Sequence, residues 1–276
     1  MIDYHIHTSL CGHAEGKMQQ YVEQAAALGL EEIGFSGHFP YPPGYDPPLP
    51  DCVIPEEKFG DYLKEARRLR EHYAGRVSIR IGAEFDFLGG RYHETTPLEE
   101  ADRLGLDFCM ASVHIIDGLV VDYTPELLVE GLERKGWDID SLYRNYYRTL
   151  ARAAGPGFCT TIGHLDLVKK FNSDPRLVPL ENHSALVDDL LEIMAGSDTA
   201  MEINTAGWDK PCAEQYPSLE IIRRAVDKGV RITAGSDAHS PGQVGRHFGR
   251  LKSLLEELGI ERLVGFDRLE PVFFKP

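Results

Sequence analysis

Cysteine is scarce in this chain and never paired. The five cysteines among 276 residues, at 11, 52, 109, 159 and 212, are odd in number and widely spaced, with no CxxC pair. That excludes a disulfide framework and reads as reduced thiols. No apolar run approaches the length of a membrane span, and the N-terminus shows neither a basic segment nor an apolar one of signal-peptide type. The expectation is a cytoplasmic protein with no membrane partner. Positive charge is also short: 29 basic side chains face 44 acidic ones, for a net charge of −15. Such a surface repels phosphate backbones and argues against nucleic acid as a partner. Internal repeats and low-complexity runs are absent.

The hydrophobic fraction of 42% and charged fraction of 26% are those of a soluble globular protein with a large core. Short apolar runs alternate with amphipathic stretches. Strands are expected at MIDYHIH, EEIGFSGH, VSIRIGAEFDF, LGLDFCMASVH, FCTTIGH, AMEIN and VRITAGSDAH. Helices are expected at MQQYVEQAAALG, FGDYLKEARRLREHY, DSLYRNYYRTLARAA, SALVDDLLEIMAG (stopped by Gly196), SLEIIRRAVDKG and HFGRLKSLLEELG. Apolar runs bounded by turn residues suit strands buried on both faces, hence a parallel sheet. Seven βα units over residues 1–276 predict a single α/β domain, a closed or nearly closed barrel with one strand fewer than the usual eight. Seven prolines between residues 40 and 55 rule out helix or central strand there. This stiff excursion follows His38 directly, so it either covers the site or is a plain long connection.

Histidines and carboxylates gather at the strand ends. His5 and His7 close the first strand, two residues apart and so on one face. His38 follows the second strand, Glu84 lies in the third, His114 ends the fourth and His164 the fifth. Asp237 and His239 close the seventh. In a parallel barrel all carboxyl ends of the strands meet at one rim, where barrel active sites lie. One HxH pair is a weak signal. Burying this many imidazoles and carboxylates without a metal would leave costly unpaired polar groups, so the joint pattern predicts a metal centre. His72, His93 and His183 read as solvated structural residues, and His247, at a helix start, as lying outside the centre. Cys11 reads as a small filler beside it. Asp3 and Asp166 are either orienters of a nearby imidazole or ordinary strand polarity.

These stretches, DYHIHTSLCGHAEG, GFSGHFP, GAEFDF, ASVHIIDG, IGHLDLVKKF, EINTAG and AGSDAHSP, resemble the PHP-domain metallohydrolases, and among them the histidinol-phosphatases of that type. The resemblance covers essentially the whole chain and implies a distorted (β/α)7 TIM-like barrel. It also implies two to three divalent ions. His5, His7, Glu84 and Asp237 match the ligands of the first; Glu84 bridges to a second completed by His114 and His164; His13, His38 and His239 match a third. Imidazole and carboxylate donors suit zinc, manganese or iron. The implied reaction is hydrolysis of L-histidinol phosphate, a small phosphorylated metabolite, by a metal-bridging hydroxide, with Glu84, Asp237 and His239 as the catalytic group. The proton for the leaving alkoxide comes from Asp237 or a metal-bound water.

Lys169 and Lys170 follow the fifth strand at rim height and are candidates to hold the phosphate, a surface loop being the other reading. Asn204 and the turn after it lie where a substrate has to sit. Asp209 stands where the family pattern suggests a cation and is a candidate for the substrate's amine. Two other readings remain: a PHP-type phosphatase or phosphodiesterase for another small phosphate, and a non-catalytic metal-binding module.

Overall fold

The computed structural model describes residues 1–49, 52–89 and 95–276. His93, and Pro50 and Asp51 of the proline-rich excursion, lie outside the described residues. In chain order the strands are β1 (Ile2–Ile6), β2 (Glu32–Phe35), β3 (Ser78–Asp86), β4 (Phe108–Ser112), β5 (Ile115–Ile116), β6 (Leu119–Val120), β7 (Thr161–Ile162), β8 (Ala200–Asn204), β9 (Ile232–Gly235), β10 (Leu263–Asp267) and β11 (Glu270–Phe274). Seven of them form one parallel sheet in the order β1-β2-β3-β4-β7-β8-β9. Helices lie between the strands: α1 (Met18–Ala27), α2 (Glu56–His72), α3 (Pro97–Leu104), α4 (Pro125–Lys135), α5 (Ile139–Ala153), α6 (Ser184–Ser197) and α7 (Leu219–Asp227), with α8 (Phe248–Glu257) after β9. The architecture is the α/β, nearly closed seven-stranded barrel that the repeating units imply.

The barrel closes weakly. Between β1 and β9 the link is one bridge, Ile6 to Ala238, with His7 N donating to Ala238 O at 2.9 Å and Ala238 N to His5 O at 3.1 Å. Asp3 strengthens this seam. It is fully buried and accepts from the backbone N of Ser236 at 2.8 Å and of Gly245 at 2.9 Å. Its carboxylate therefore laces the two edges of the sheet instead of orienting an imidazole or facing solvent.

Packing fills the amino end. The rings of Tyr4 and Phe108 stand 4.8 Å apart, and a Cβ on Gly82 would come within 2.5 Å of the Phe108 ring, so β3 needs a residue without a side chain there. Antiparallel β10 and β11 form a hairpin that caps this end, Phe266 N donating to Tyr4 Oη at 2.8 Å. Large buried side chains such as Ile2, Ile33, Phe35 and Phe108 each contribute about 1.5–3 kcal/mol by leaving water.

The structure adds elements beyond those expected. Helix α3 opens on a Thr96–Glu99 capping box with Pro97 in its first turn, and α4 on Thr124–Pro125 with Gly136 ending it in the left-handed region. Asp117 and Gly118, both with positive φ, turn the β5–β6 hairpin. Gly196 does not stop α6, which runs on to Ser197 and ends at Asp198 with φ 60°. Several strands end earlier than the apolar runs suggest, so most rim residues sit just past the ladders, on loops. Among the described residues no helix is long and apolar enough to cross a membrane.

Candidate metal centre

At the carboxyl rim lies a cavity of about 320 Å³, lined on one side by the histidine cluster and on the other by Tyr41, Leu49, Ile115, Val120 and Tyr123. The proline-rich excursion thus supplies part of its wall. Tyr41, Tyr45 and Leu49 pack against Leu88, Ile115 and Val120, so the segment is a cover held on the β5–β6 hairpin.

Glu84 is the centre of the cluster. It is 1% exposed, and its two oxygens face two different groups of imidazoles. Oε2 lies 3.3 Å from His5 Nε2, 3.5 Å from His7 Nε2 and 3.4 Å from His38 Nε2. Oε1 lies 3.1 Å from His164 Nε2 and 3.7 Å from His114 Nε2. Asp237 Oδ1 stands 3.1 Å from His7 Nε2 and 3.6 Å from His5 Nε2. His13 joins from the loop after β1, its ring 4.8 Å from that of His239 and 5.4 Å from that of His38. The nine expected ligands therefore converge, although they come from separate loops and from β1 and β3. Two of them, His164 and Asp237, hold φ at 21° and 51°, a strained backbone of the kind kept at functional sites.

Hydrogen bonds on the far side of the rings fix which nitrogen is free. His5 Nδ1 donates to Glu202 Oε1 at 2.7 Å and His114 Nδ1 to Asp86 Oδ1 at 2.5 Å. His13 Nδ1 donates to the carbonyl of Cys11 at 2.9 Å and His239 Nδ1 to that of Asp237 at 3.0 Å. With the proton on Nδ1, each Nε2 carries a bare lone pair. Yet Nε2 of His5 and His7 are 3.1 Å apart, and those of His114 and His164 3.2 Å. Imidazole nitrogens and carboxylate oxygens crowded this closely in a buried space suit cations between them. Several sets of three such groups, including His5–His7–Glu84, Glu84–His114–His164 and His7–His13–His239, have ligand atoms close enough to share an ion.

Protonation divides the rings. Against the pull of burial, neighbouring carboxylates (Glu202 first for His5, Asp86 first for His114) raise His5 and carry His114 up to about 10, a positive charge that bound ions would replace. Burial pushes His7 down to about 3, a neighbouring His239 adding to it, and pushes His38 to about 3 and His239 to about 4, so these rings are neutral ligands near neutral pH. Burial opposes charge on Glu84, but the imidazoles around it, among them the raised His5 and the hydrogen-bonding His164, hold the carboxyl well below its usual range. Asp237 is likewise held low against burial by His5, His7 and His239. Cys11, its Sγ 4.0 Å from His7 Nδ1, is pushed up to about 11 by burial; it is a protonated filler, as expected.

The candidates for substrate contact are distributed differently. Lys170 lines the cavity, its ammonium donating to Asp122 O at 2.5 Å and standing 3.3 Å from Asp122 Oδ2. Lys169 does not line it: the chain turns between the two, and Lys169 is buried against Asp166 at 3.0 Å, Glu214 at 2.8 Å and the carbonyl of Gln215 at 2.8 Å. Asp166 thus serves Lys169 and no imidazole. Asn204 is fully buried and donates to Glu202 at 3.1 Å, below the cavity floor. Asp209 is drawn away by His247 at 2.8 Å and Arg246 at 3.7 Å, which also places His247 outside the cluster. His183, expected in solvent, is instead tucked under α5, 3.1 Å from Asp140 and stacked on Tyr143.

Five wall or support residues escaped the sequence reading: Lys210, Arg246, Asp122, Asp86 and Glu202. Asp86 sits two residues beyond Glu84, and Glu202 two before Asn204, so the same two-residue rule that paired His5 with His7 could have found both. Lys210 was passed over for its neighbour Asp209. Its ammonium lines the cavity, and burial together with nearby Lys170 lowers its pKa. Arg246 holds the strained Ser236–Asp237 turn through their carbonyls, both at 2.7 Å; it and Asp122 lie in loops without periodic signal.

A barrel rim that gathers imidazoles around one shared carboxylate defines a metal-dependent hydrolase, and the match of residues 3–206 to the PHP domain settles which: the chain belongs to the PHP-domain family. Within it, several relatives are named histidinol-phosphatases and others probable phosphatases. A Deinococcus radiodurans protein named "Probable histidinol-phosphatase" is 36% identical, with 94% of each chain covered. The histidinol-phosphatase of Bacillus subtilis is 31% identical over 88% of this chain and 95% of its own. The fold matches that of the Lactococcus lactis histidinol phosphate phosphatase, solved with zinc, L-histidinol and phosphate, at a TM-score of 0.77, 24% identity and 98% coverage of both chains.

Proposed function

We propose that this protein hydrolyses L-histidinol phosphate to L-histidinol and inorganic phosphate, using two or three divalent ions held at the carboxyl rim. The observation that carries this reading is Glu84 presenting one oxygen to His5, His7 and His38 and the other to His114 and His164, on the floor of a cavity the size of a small metabolite. Glu84 with His5, His7 and Asp237 would hold one ion, Glu84 with His114 and His164 a second, and His13, His38 and His239 a third. Zinc suits these donors and is the ion named for the Lactococcus lactis structure; manganese and iron suit them too. Such ions supply Lewis acidity, a water of lowered pKa as nucleophile, and neutralisation of charge on the phosphoryl oxygens.

The chain's own groups do the rest. Lys210, whose ammonium has no hydrogen bond or ion pair among the described residues, and Lys170 grip the phosphate dianion from the cavity wall. Asp237, held as a carboxylate, takes the proton of the attacking water before any proton reaches the leaving alkoxide. His239 beside it, neutral and partly open to the cavity, completes the catalytic group. Asp122 is the carboxylate placed for the substrate's ammonium, taking over the role expected of Asp209. Tyr41, Leu49, Ile115, Val120 and Tyr123 give the imidazole ring an apolar wall and exclude water. Free thiols at Cys11, Cys109, Cys159 and Cys212 suit a cytoplasmic setting. The test is a purified-enzyme comparison of L-histidinol phosphate with other amino-alcohol phosphates, sugar phosphates and a dinucleotide. Preference of at least about tenfold for histidinol phosphate, ~1.4 kcal/mol, is expected; equal rates would reject the substrate.

A further inference from the structure

Below the cavity floor one carboxylate serves two of the metal positions at once. Glu202 is fully buried on β8. Its Oε1 accepts from His5 Nδ1 at 2.7 Å. Its Oε2 accepts from the backbone N of His164 at 2.7 Å and from Asn204 Nδ2 at 3.1 Å. The first bond orients the His5 ring and keeps the proton off Nε2; the second holds the peptide that sets the His164 φ of 21°. The fold reserves space for this group. A Cβ at Gly235 on neighbouring β9 would fall 2.0 Å from Glu202 Oε1, so any larger residue there would displace the carboxylate. By contrast, Asp86 touches one ligand ring, His114.

We propose that Glu202 is a positioning residue that couples the first and second metal positions, so that disturbing it empties both. This rests on the ligand assignment above. Three donors converge on its two oxygens, and an amide offers only one accepting oxygen. Glu202→Gln, though equal in size, must therefore either turn its NH₂ toward His5, driving the ring proton onto Nε2 where an ion has to bind, or set NH₂ against the His164 N–H. Outer partners of metal ligands typically matter about 10- to 100-fold in ion affinity; here that weakening falls on two ions together.

The experiment counts ions per chain in wild type, Glu202→Gln and Asp86→Asn by elemental analysis and native mass spectrometry, after equilibration with one buffered zinc concentration. Circular dichroism checks each fold. Glu202→Gln is expected to fall two ions below wild type, and Asp86→Asn one. A loss of one ion or none in folded Glu202→Gln overturns the coupling while leaving the metal centre intact. Fewer than two ions in wild type would instead reject the ligand assignment. Should Glu202→Gln not fold, Asn204→Ala, which keeps the carboxylate but frees it on one side, is expected to weaken both ions to a similar extent. Weakening of one alone overturns the proposal.

Discussion

At the amino end of the barrel, Glu32 meets Arg80 at 2.6 Å and the hydroxyl of Tyr4, while Asp107 pairs with Arg70 and accepts from Ile81 N at 2.8 Å. At the carboxyl end, Glu84 is as deeply set and Asp237 is partly open to the cavity, yet their immediate partners are imidazoles, and Lys170, Lys210 and Arg246 stand on the cavity wall. Both of these carboxylates at the first end have a guanidinium supplied by the chain. At the second the chain sets imidazoles against its carboxylates, an arrangement suited to positive charge from solution. One end is finished by folding and the other by binding, which is how a single barrel can be stable below and chemically competent above.

Substitutions at the two ends should separate these roles. The largest effect is expected for Glu84→Gln, which removes the shared charge: kcat/KM for histidinol phosphate should fall by about three orders of magnitude or more, ~4 kcal/mol in the barrier, with ion content falling and the fold intact by circular dichroism. Asp237→Asn should behave similarly. At the opposite end, Glu32→Gln leaves Arg80 the half-exposed Asp267 at 3.0 Å and a distant Asp107 at 4.0 Å. Urea unfolding should show a loss of about 3 kcal/mol, with kcat/KM unchanged at temperatures where the protein stays folded. Lys210→Ala removes one charged contact to phosphate and should lower kcat/KM about 10- to 100-fold, without altering the urea midpoint. The adjacent pair sharpens this, since Lys169→Ala should do the reverse, costing stability by stranding Asp166 while sparing kinetics. The smallest effect belongs to Asp209→Asn. Its exposed pairing with His247 is worth at most about 1 kcal/mol, and steady-state kinetics should stay within about twofold.

The barrel was readable because β1, β2, β4 and β8 are buried along their whole length and therefore appear as short runs rich in apolar residues between turn signals. The convergence of the rim histidines and carboxylates was readable for a related reason: a histidine or carboxylate that ends such a run has nowhere to go but the rim. What escaped did so for different reasons. Helix α4 and the Asp117–Gly118 turn carried ordinary start, stop and turn signals, overlooked beside the stronger barrel pattern. The C-terminal hairpin carried none, since its turn uses Arg268 and Leu269 with φ of 51° and 69°, residues that do not announce a left-handed backbone. Lys169 and Lys170 were indistinguishable in sequence, because which of two successive side chains faces a cavity depends on the turn between them. Asp209 and Lys210 were confused in the same way. Direction at the rim is set by loops, and loops carry no period.

The contrast between the ends reduces to whether the carboxyl rim works only when ions complete it. Chelator-stripped protein, checked for ion content and for native circular dichroism, is assayed for phosphate release from L-histidinol phosphate before and after zinc is restored. Release is expected to drop to background in the folded, stripped protein and to return as the ions bound per chain rise to two or more. Undiminished hydrolysis by folded protein holding well under one ion per chain would contradict it.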